Sequence, residues 1–153
     1  SHERGINPRQ MVIHRILVDD LLRLARGRGR APGVAAADPV LRQRLAQAWI
    51  EVELVKLQNW RTLTQVLRHG RPGPESSISK LQWSEMSQRL HDTAMDLLHT
   101  HAPLVRGDRR AADGGRWARS YLYYRAGTIF AGSNEIQRNI IAERVLGLPR
   151  DRR

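Results

Sequence analysis

Near the end of the chain runs Thr128-Ile129-Phe130-Ala131-Gly132-Ser133-Asn134-Glu135-Ile136-Gln137-Arg138-Asn139-Ile140-Ile141-Ala142-Glu143-Arg144-Val145-Leu146-Gly147-Leu148-Pro149. Two apolar helical stretches meet here at a small polar turn, Gly132-Ser133-Asn134. Glycine permits close backbone approach, and the start of the following helix leaves amide hydrogens free for anionic or polar groups. Ile136, Ile140, Ile141 and Val145 give the second stretch one apolar face, and Gly147-Leu148-Pro149 stops it. On this local pattern alone the segment is an αα-corner in a helical bundle, which by itself demands no function.

The chain before it is helical as well. A first helix over about 8–26 carries Met11, Ile13, Ile16, Leu17, Val18, Leu21 and Leu24 as a broad apolar face. Residues 27–37 are rich in Gly, Ala and Arg, contain Pro32, and read as a loop. Asp38-Pro39 opens a second helix, Asp as N-cap and Pro at the first helical position. Its apolar residues Leu41, Leu45, Ala48, Val52, Val55, Leu63 and Val66 recur mostly at steps of three and four, and Gly70 after Arg68-His69 ends it.

After the rigid loop Arg71-Pro72-Gly73-Pro74, Ser76 or Ser77 can cap a third helix. That helix directs Ile78, Leu81, Met86, Leu90, Ala94, Leu97 and Leu98 inward. Pro103 and residues 107–115 read as a polar, mobile connection to a fourth helix over about 116–130, with Trp117, Tyr121 and Tyr124. The fifth covers about 134–146. No strand alternation or Asn-Gly hairpin competes. The predicted fold class is all-α: an up-down bundle of four to five mostly antiparallel helices over residues 1–149, followed by a basic tail at 150–153.

At 153 residues the chain is one domain's worth with room for a sizeable core. The absence of cysteine excludes disulfides and thiolate metal sites. No apolar run approaches a membrane span and no signal peptide precedes the helices, so the expected setting is cytoplasmic, without membrane contact. Ser1 in place of an initiator Met suggests a processed, truncated or recombinant fragment. The net charge of +11 raises nucleic-acid binding as a question. The basic residues, however, are almost all Arg, with Lys56 and Lys80 the two lysines, and they are dispersed. Several lie in loops (Arg28, Arg30, Arg106, Arg109, Arg110) and others in the tail (Arg150, Arg152, Arg153). No zinc-finger spacing or RNA-recognition aromatic motif accompanies them, which argues against a specific nucleic-acid role.

Metal chemistry is equally short of support. His99 and His101, two apart, point to different helix faces, and no His-Glu-x-x-His pattern occurs. No metal is expected. His14, His69 and His91 read as surface or packing residues. Trp49, Trp60, Trp83 and Trp117 read as bundle or interface aromatics. Glu51 and Glu53 read as solvated or paired with Arg, and not as a carboxylate dyad.

The stretch Phe130-Ala131-Gly132-Ser133-Asn134-Glu135-Ile136-Gln137-Arg138 resembles the C-terminal signature of the acyl-CoA dehydrogenases: an aromatic, then Glu, Gly or Ala, then Gly-Thr-(Ser/Asn)-Glu-Ile-Gln-Arg. The match continues from Asn139 to Pro149, and weaker similarity covers most of the chain from Glu3-Arg4 onward. The resemblance implies the C-terminal helical domain of an FAD-dependent enzyme that introduces an α,β double bond into an acyl-CoA thioester. It also implies an N-terminal helical domain and a β-domain elsewhere, homo- or hetero-oligomers built through the bundle, and electron-transfer flavoprotein as electron acceptor. The isolated fragment is then expected to be inactive.

In that family a carboxylate removes the α-proton while flavin N5 takes the β-hydride. Medium- and short-chain members place the base just before the Gly of the turn, where this chain has Ala131, which cannot accept a proton. Isovaleryl- and long-chain-type members place it in a Glu-Arg pair on the first helix. Ser1-His2-Glu3-Arg4-Gly5 resembles that pair, making Glu3 the candidate base and Arg4 a candidate substrate contact. The resemblance further assigns Ser133, Asn134 and Glu135 to FAD and the Gly132 backbone to the substrate. Ser133 and Asn134 can equally cap the last helix, and both roles are compatible.

Two family motifs are replaced. Gly27-Arg28-Gly29-Arg30 stands where Arg-x-x-Phe-Gly is usual, and Leu98-His99-Thr100-His101-Ala102-Pro103 where Gly-Gly-x-Gly is usual. Basic loops could face the pyrophosphate of acyl-CoA or FAD, or an acidic partner domain. Ala131 and the replaced motifs favour a second reading, a non-catalytic structural subunit of a heteromeric family member. A basic helical module binding nucleic acid is the third.

Overall fold

A computed structural model of the chain describes residues 8–27 and 38–150. Five α-helices follow one another: α1 (Pro8–Ala25), α2 (Pro39–His69), α3 (Ser76–Leu98), α4 (Arg116–Arg125) and α5 (Asn134–Ile140), with no strand among the described residues. The all-α bundle read from the sequence is the observed fold.

Local chemistry accounts for the helix ends. Asp38 sits in extended backbone, and its Oδ1 accepts the N–H of Val40 at 2.8 Å and of Leu41 at 3.3 Å, while Pro39 opens α2. At the other end Gly70, at φ +72°, donates its N–H to Val66 O at 2.8 Å. The start of α3 differs from expectation. Glu75 occupies the cap position without a side-chain bond, and Ser76 and Ser77 lie inside the helix. The reason is the Gly73-Pro74 loop, whose carbonyls accept Ser76 N at 3.1 Å and Ser77 N at 3.0 Å and so replace a hydroxyl cap.

Cross-helix contacts set the directions. Along α2, Arg44, Glu51 and Thr62 meet Asp96, Arg89 and Ser79 of α3, so the two helices run antiparallel. Helix α3 packs on all four others and is the centre of the bundle. The core joins Val18, Leu21 and Leu24 of α1 to Leu41, Leu45, Val52 and Val55 of α2, Met86, Leu90, Ala94 and Leu97 of α3, and Trp117 of α4. The apolar face of α1 is buried only in part: Ile13 and Ile16 are exposed.

Between α1, α3 and α4 lies a chain of rings. His14 meets Trp83 at 6.4 Å, Trp83 meets Tyr124 at 6.3 Å, Tyr124 stacks on His91 at 4.6 Å, and His91 meets Trp117 at 6.2 Å. Both histidines are 1 % exposed, which makes them packing residues, whereas His69 is exposed. His91 Nδ1 lies 2.7 Å from Ser87 O, so Nδ1 carries the proton. Burial lowers the His14 pKa from 6.5 to about 4, with the charge of His91 adding to the effect.

Within residues 107–115, read as a polar, mobile connection, the second half packs against the bundle in part. Ala111, Ala112 and Gly115 are buried, and Asp113 accepts the indole N–H of Trp117 at 2.8 Å. Asp113 also meets Arg116 at 3.1 Å, and Arg116 reaches Asp20 of α1. Asp108 and Arg110 pair within the segment, while Asp113 is tied to the start of α4.

Candidate functional site

Helix α4 ends earlier than its apolar pattern predicts. Gly127 packs on Trp83, where a Cβ would lie 3.7 Å from the ring, and residues Ala126–Thr128 tighten into a 3₁₀ turn. Ile129 N and Phe130 N both donate to Ala126 O, at 2.9 and 3.0 Å. The chain then reverses through Ala131 at φ +55° and Gly132 at φ +92°. A side chain in this left-handed region costs roughly 1 kcal/mol or more, so Ala131 is held there by its surroundings.

The surroundings are polar and buried. Gln137 is 1 % exposed, and its Nε2 donates to Ala131 O at 3.0 Å and to Gly132 O at 3.2 Å. Asn134, 3 % exposed, turns its side chain toward α3. Its Oδ1 accepts from Lys80 Nζ at 2.8 Å and from Ser84 Oγ at 2.9 Å, and its Nδ2 donates to Glu85 at 3.4 Å. Arg138 also reaches Glu85. Burial holds the Lys80 ammonium below its ordinary range, against the pull of Glu135 and Glu85.

Ser133 caps α5, its Oγ accepting Ile136 N at 3.5 Å. Glu135 is exposed, and its carboxyl is held below the usual range by its own backbone N–H and then by the Ser133 hydroxyl, with Arg138 and Lys80 adding to the effect. Beyond Ile140 the expected single helix widens into a π-helical turn, Ile141–Val145, closed by Leu146 N to Ile141 O at 3.0 Å.

Gly132, Ser133, Asn134 and Glu135 therefore form one turn, with Ser133 and Glu135 at its outer edge and the Asn134 side chain facing inward. Glu3 and Arg4 lie outside the described residues. Sequence reading gave no part to Lys80, Ser84 or Gln137. The available signal was that Asn134 and Gln137, at i and i+3, put two amides on one helix face.

Elsewhere, charges are matched within and across helices. Arg89 holds Glu51, Arg15 and Lys56 hold Glu53, and Arg125 reaches Asp92. The two glutamates of α2 are thus paired separately with cations. No cluster of three or more His, Cys, Asp or Glu suited to a metal occurs among the described residues. No described helix is long and apolar enough to cross a membrane.

The family model for the acyl-CoA dehydrogenase C-terminal domain matches residues 1–146. The chain belongs to the acyl-CoA dehydrogenase family. Acyl-CoA dehydrogenase IpdE1 of Mycobacterium tuberculosis is 37% identical over 154 residues, covering 99% of this chain and 37% of that protein. The ChsE4–ChsE5 complex of the same organism superposes with a TM-score of 0.72 at 28% identity, covering 88% of this chain and 36% of that one. The Tcur3481–Tcur3483 steroid acyl-CoA dehydrogenase superposes with a TM-score of 0.77 at 22% identity, over 90% of this chain and 35% of that one, and shows the shared fold. The bundle is thus an acyl-CoA dehydrogenase C-terminal domain that spans about 37% of the IpdE1 length.

Proposed function

We propose that the chain is the C-terminal domain of an FAD-dependent acyl-CoA dehydrogenase, which removes hydrogens from the α and β carbons of an acyl-CoA thioester. The observation that carries this reading is the Ala131-Gly132 turn, held at positive φ by a buried amide in a chain of this family. Completion by further domains, homo- or hetero-oligomerisation through the bundle, and electron-transfer flavoprotein as acceptor belong to the same proposal.

The outer edge of the turn fits part of the cofactor. Ser133 offers a hydroxyl, Asn134 its backbone N–H, and Glu135 a carboxylate. A carboxylate repels a pyrophosphate but accepts hydrogen bonds from hydroxyl and N–H groups, so this set suits the neutral, hydrogen-bonding portion of FAD. Bound flavin would supply the hydride acceptor.

The α-proton needs a carboxylate of adequate basicity. Ala131 offers none. Glu135 is a poor base, because hydrogen bonds from its own amide and from Ser133 hold its pKa down. The resemblance of Glu3-Arg4 to the family's Glu-Arg pair gives the role to Glu3, with Arg4 and the Gly132 backbone binding the substrate. In the full-length protein, Glu3→Gln should abolish exchange of the α-proton, followed by NMR with a saturated acyl-CoA in D₂O. Undiminished exchange would remove Glu3 from the mechanism. The isolated fragment should neither retain flavin nor reduce dye with acyl-CoAs, and turnover by it would overturn the incomplete-site reading.

Ala131, together with similarity to a chain of the two-component ChsE4–ChsE5 assembly, favours a second reading as the non-catalytic subunit of a heteromer. Flavin content per chain after co-expression with adjacent gene products separates the two. A full-length protein that holds flavin and turns over by itself supports the first.

A further inference from the structure

A buried glutamine in a seven-residue helix needs a reason. An apolar residue of similar size would fill the same space without requiring hydrogen bonds. Gln137 Nε2 instead donates to the carbonyls of the two residues that carry the reversal, Ala131 at 3.0 Å and Gly132 at 3.2 Å. Those bonds oppose the left-handed cost at Ala131, whose φ of +55° is unfavourable for a residue with a Cβ. The helix that bears Gln137 is too short to be stable alone. It is pinned to α3 through Asn134, whose Oδ1 accepts from Lys80 at 2.8 Å and Ser84 at 2.9 Å. Lys80 is partly buried and spends an ammonium hydrogen on Asn134. The bonds run from the centre of the bundle, through Asn134 and one helical turn, to the Ala131-Gly132 backbone.

We propose that Gln137 is a positioning residue, anchored by the Lys80–Asn134–Ser84 contact, that sets the Ala131-Gly132 backbone against the bound thioester. The inference rests on the dehydrogenase reading of the turn. Misplacement of a backbone wall by a fraction of an ångström affects the reacting geometry more than the overall affinity, because most of an acyl-CoA lies elsewhere. The defect belongs in kcat.

The test uses the full-length protein with Gln137→Leu, Lys80→Met and Lys80→Arg. Gln137→Leu should retain flavin absorbance, lower kcat about tenfold or more and change KM by less than about threefold. Amide exchange at residues 131–133 should quicken about tenfold while the α2 core is unchanged. Lys80→Met should move both readings the same way, and Lys80→Arg, which keeps a donor to Asn134, should restore them. Wild-type kcat in Gln137→Leu overturns the proposal, whether or not exchange quickens. If Gln137→Leu does not fold, the two Lys80 variants decide, equal kcat and exchange in both overturning it. A parent protein without flavin or turnover defeats the dehydrogenase reading itself, and the positioning role for a thioester falls with it. The exchange contrast then reports only whether Gln137 holds the turn.

Discussion

Gly114 and Gly115 share a left-handed backbone, at φ +69° and +78°, yet their surroundings differ completely. A Cβ on Gly114 would meet nothing within 4 Å, whereas one on Gly115 would lie 2.4 Å from Val105 C and 2.5 Å from Arg106 N. Backbone atoms cannot rotate away. Gly114→Ala should therefore cost about 1 kcal/mol through φ alone, and Gly115→Ala about 3 kcal/mol or more, read as the difference in urea midpoints. Sequence marked residues 107–115 only as polar and flexible, because the contact that makes Gly115 obligatory is with Val105 and Arg106, earlier in the chain. The same holds for Asn134. Its place at a helix start was legible, but its side chain faces Lys80 and Ser84, some fifty residues away in the chain.

Among the elements, α2 is the one most fully written in local sequence. Both ends obey capping chemistry, with Asp38 accepting two backbone N–H groups and Gly70 closing the last turn. Asp38→Ala should lower stability by about 1 kcal/mol, with Asp38→Asn largely preserving it, as measured by thermal unfolding. The serines before α3 looked like caps by the same rule, but loop carbonyls satisfied the orphan donors first. For α4 the apolar period overran the true end, and for α5 it gave the extent but not the change of helix type. Packing of Gly127 on Trp83 closes α4 early, and the π-helical turn after Ile140 alters the end of α5. Helix α2 also carries Ile50, Leu54 and Leu57 on the side opposite Leu41, Leu45, Val52 and Val55, all three near half exposed. Apolar faces on both sides suit a helix covered by further domains or subunits, as the proposed assembly requires.

At the scale of the molecule, the buried rings couple three helices to pH. His14, 1 % exposed, has a folded pKa of about 4 against an ordinary 6.5, so the unfolded chain takes up its proton first as pH falls. Its contribution is constant above pH 6.5 and is lost progressively down to about pH 4, by roughly 3 kcal/mol. His91 is shifted in the same direction by burial, and steepens the loss. Urea unfolding at steps between pH 7 and 4 should show a steeper decline for the wild type than for His14→Leu. Equal slopes would show that His14 is protonated without cost in the fold. The exposed ion pairs that join helices, such as Arg44 with Asp96 and Arg125 with Asp92, contribute far less each.

The sequence by itself determined the helical class, the α2 caps, the family and the missing carboxylate at Ala131, because each depends on residue type or on spacings within a few turns. Only the tertiary structure decided which polar residues are buried, and therefore what holds the reversal before α5. The Gln137 and Asn134 amides look alike to any periodicity. One binds the Ala131 and Gly132 carbonyls and the other a lysine and serine on α3. Hydrogen bonds in a low-dielectric interior are selected by which groups the fold brings within 3 Å, and that proximity has no signature along the chain.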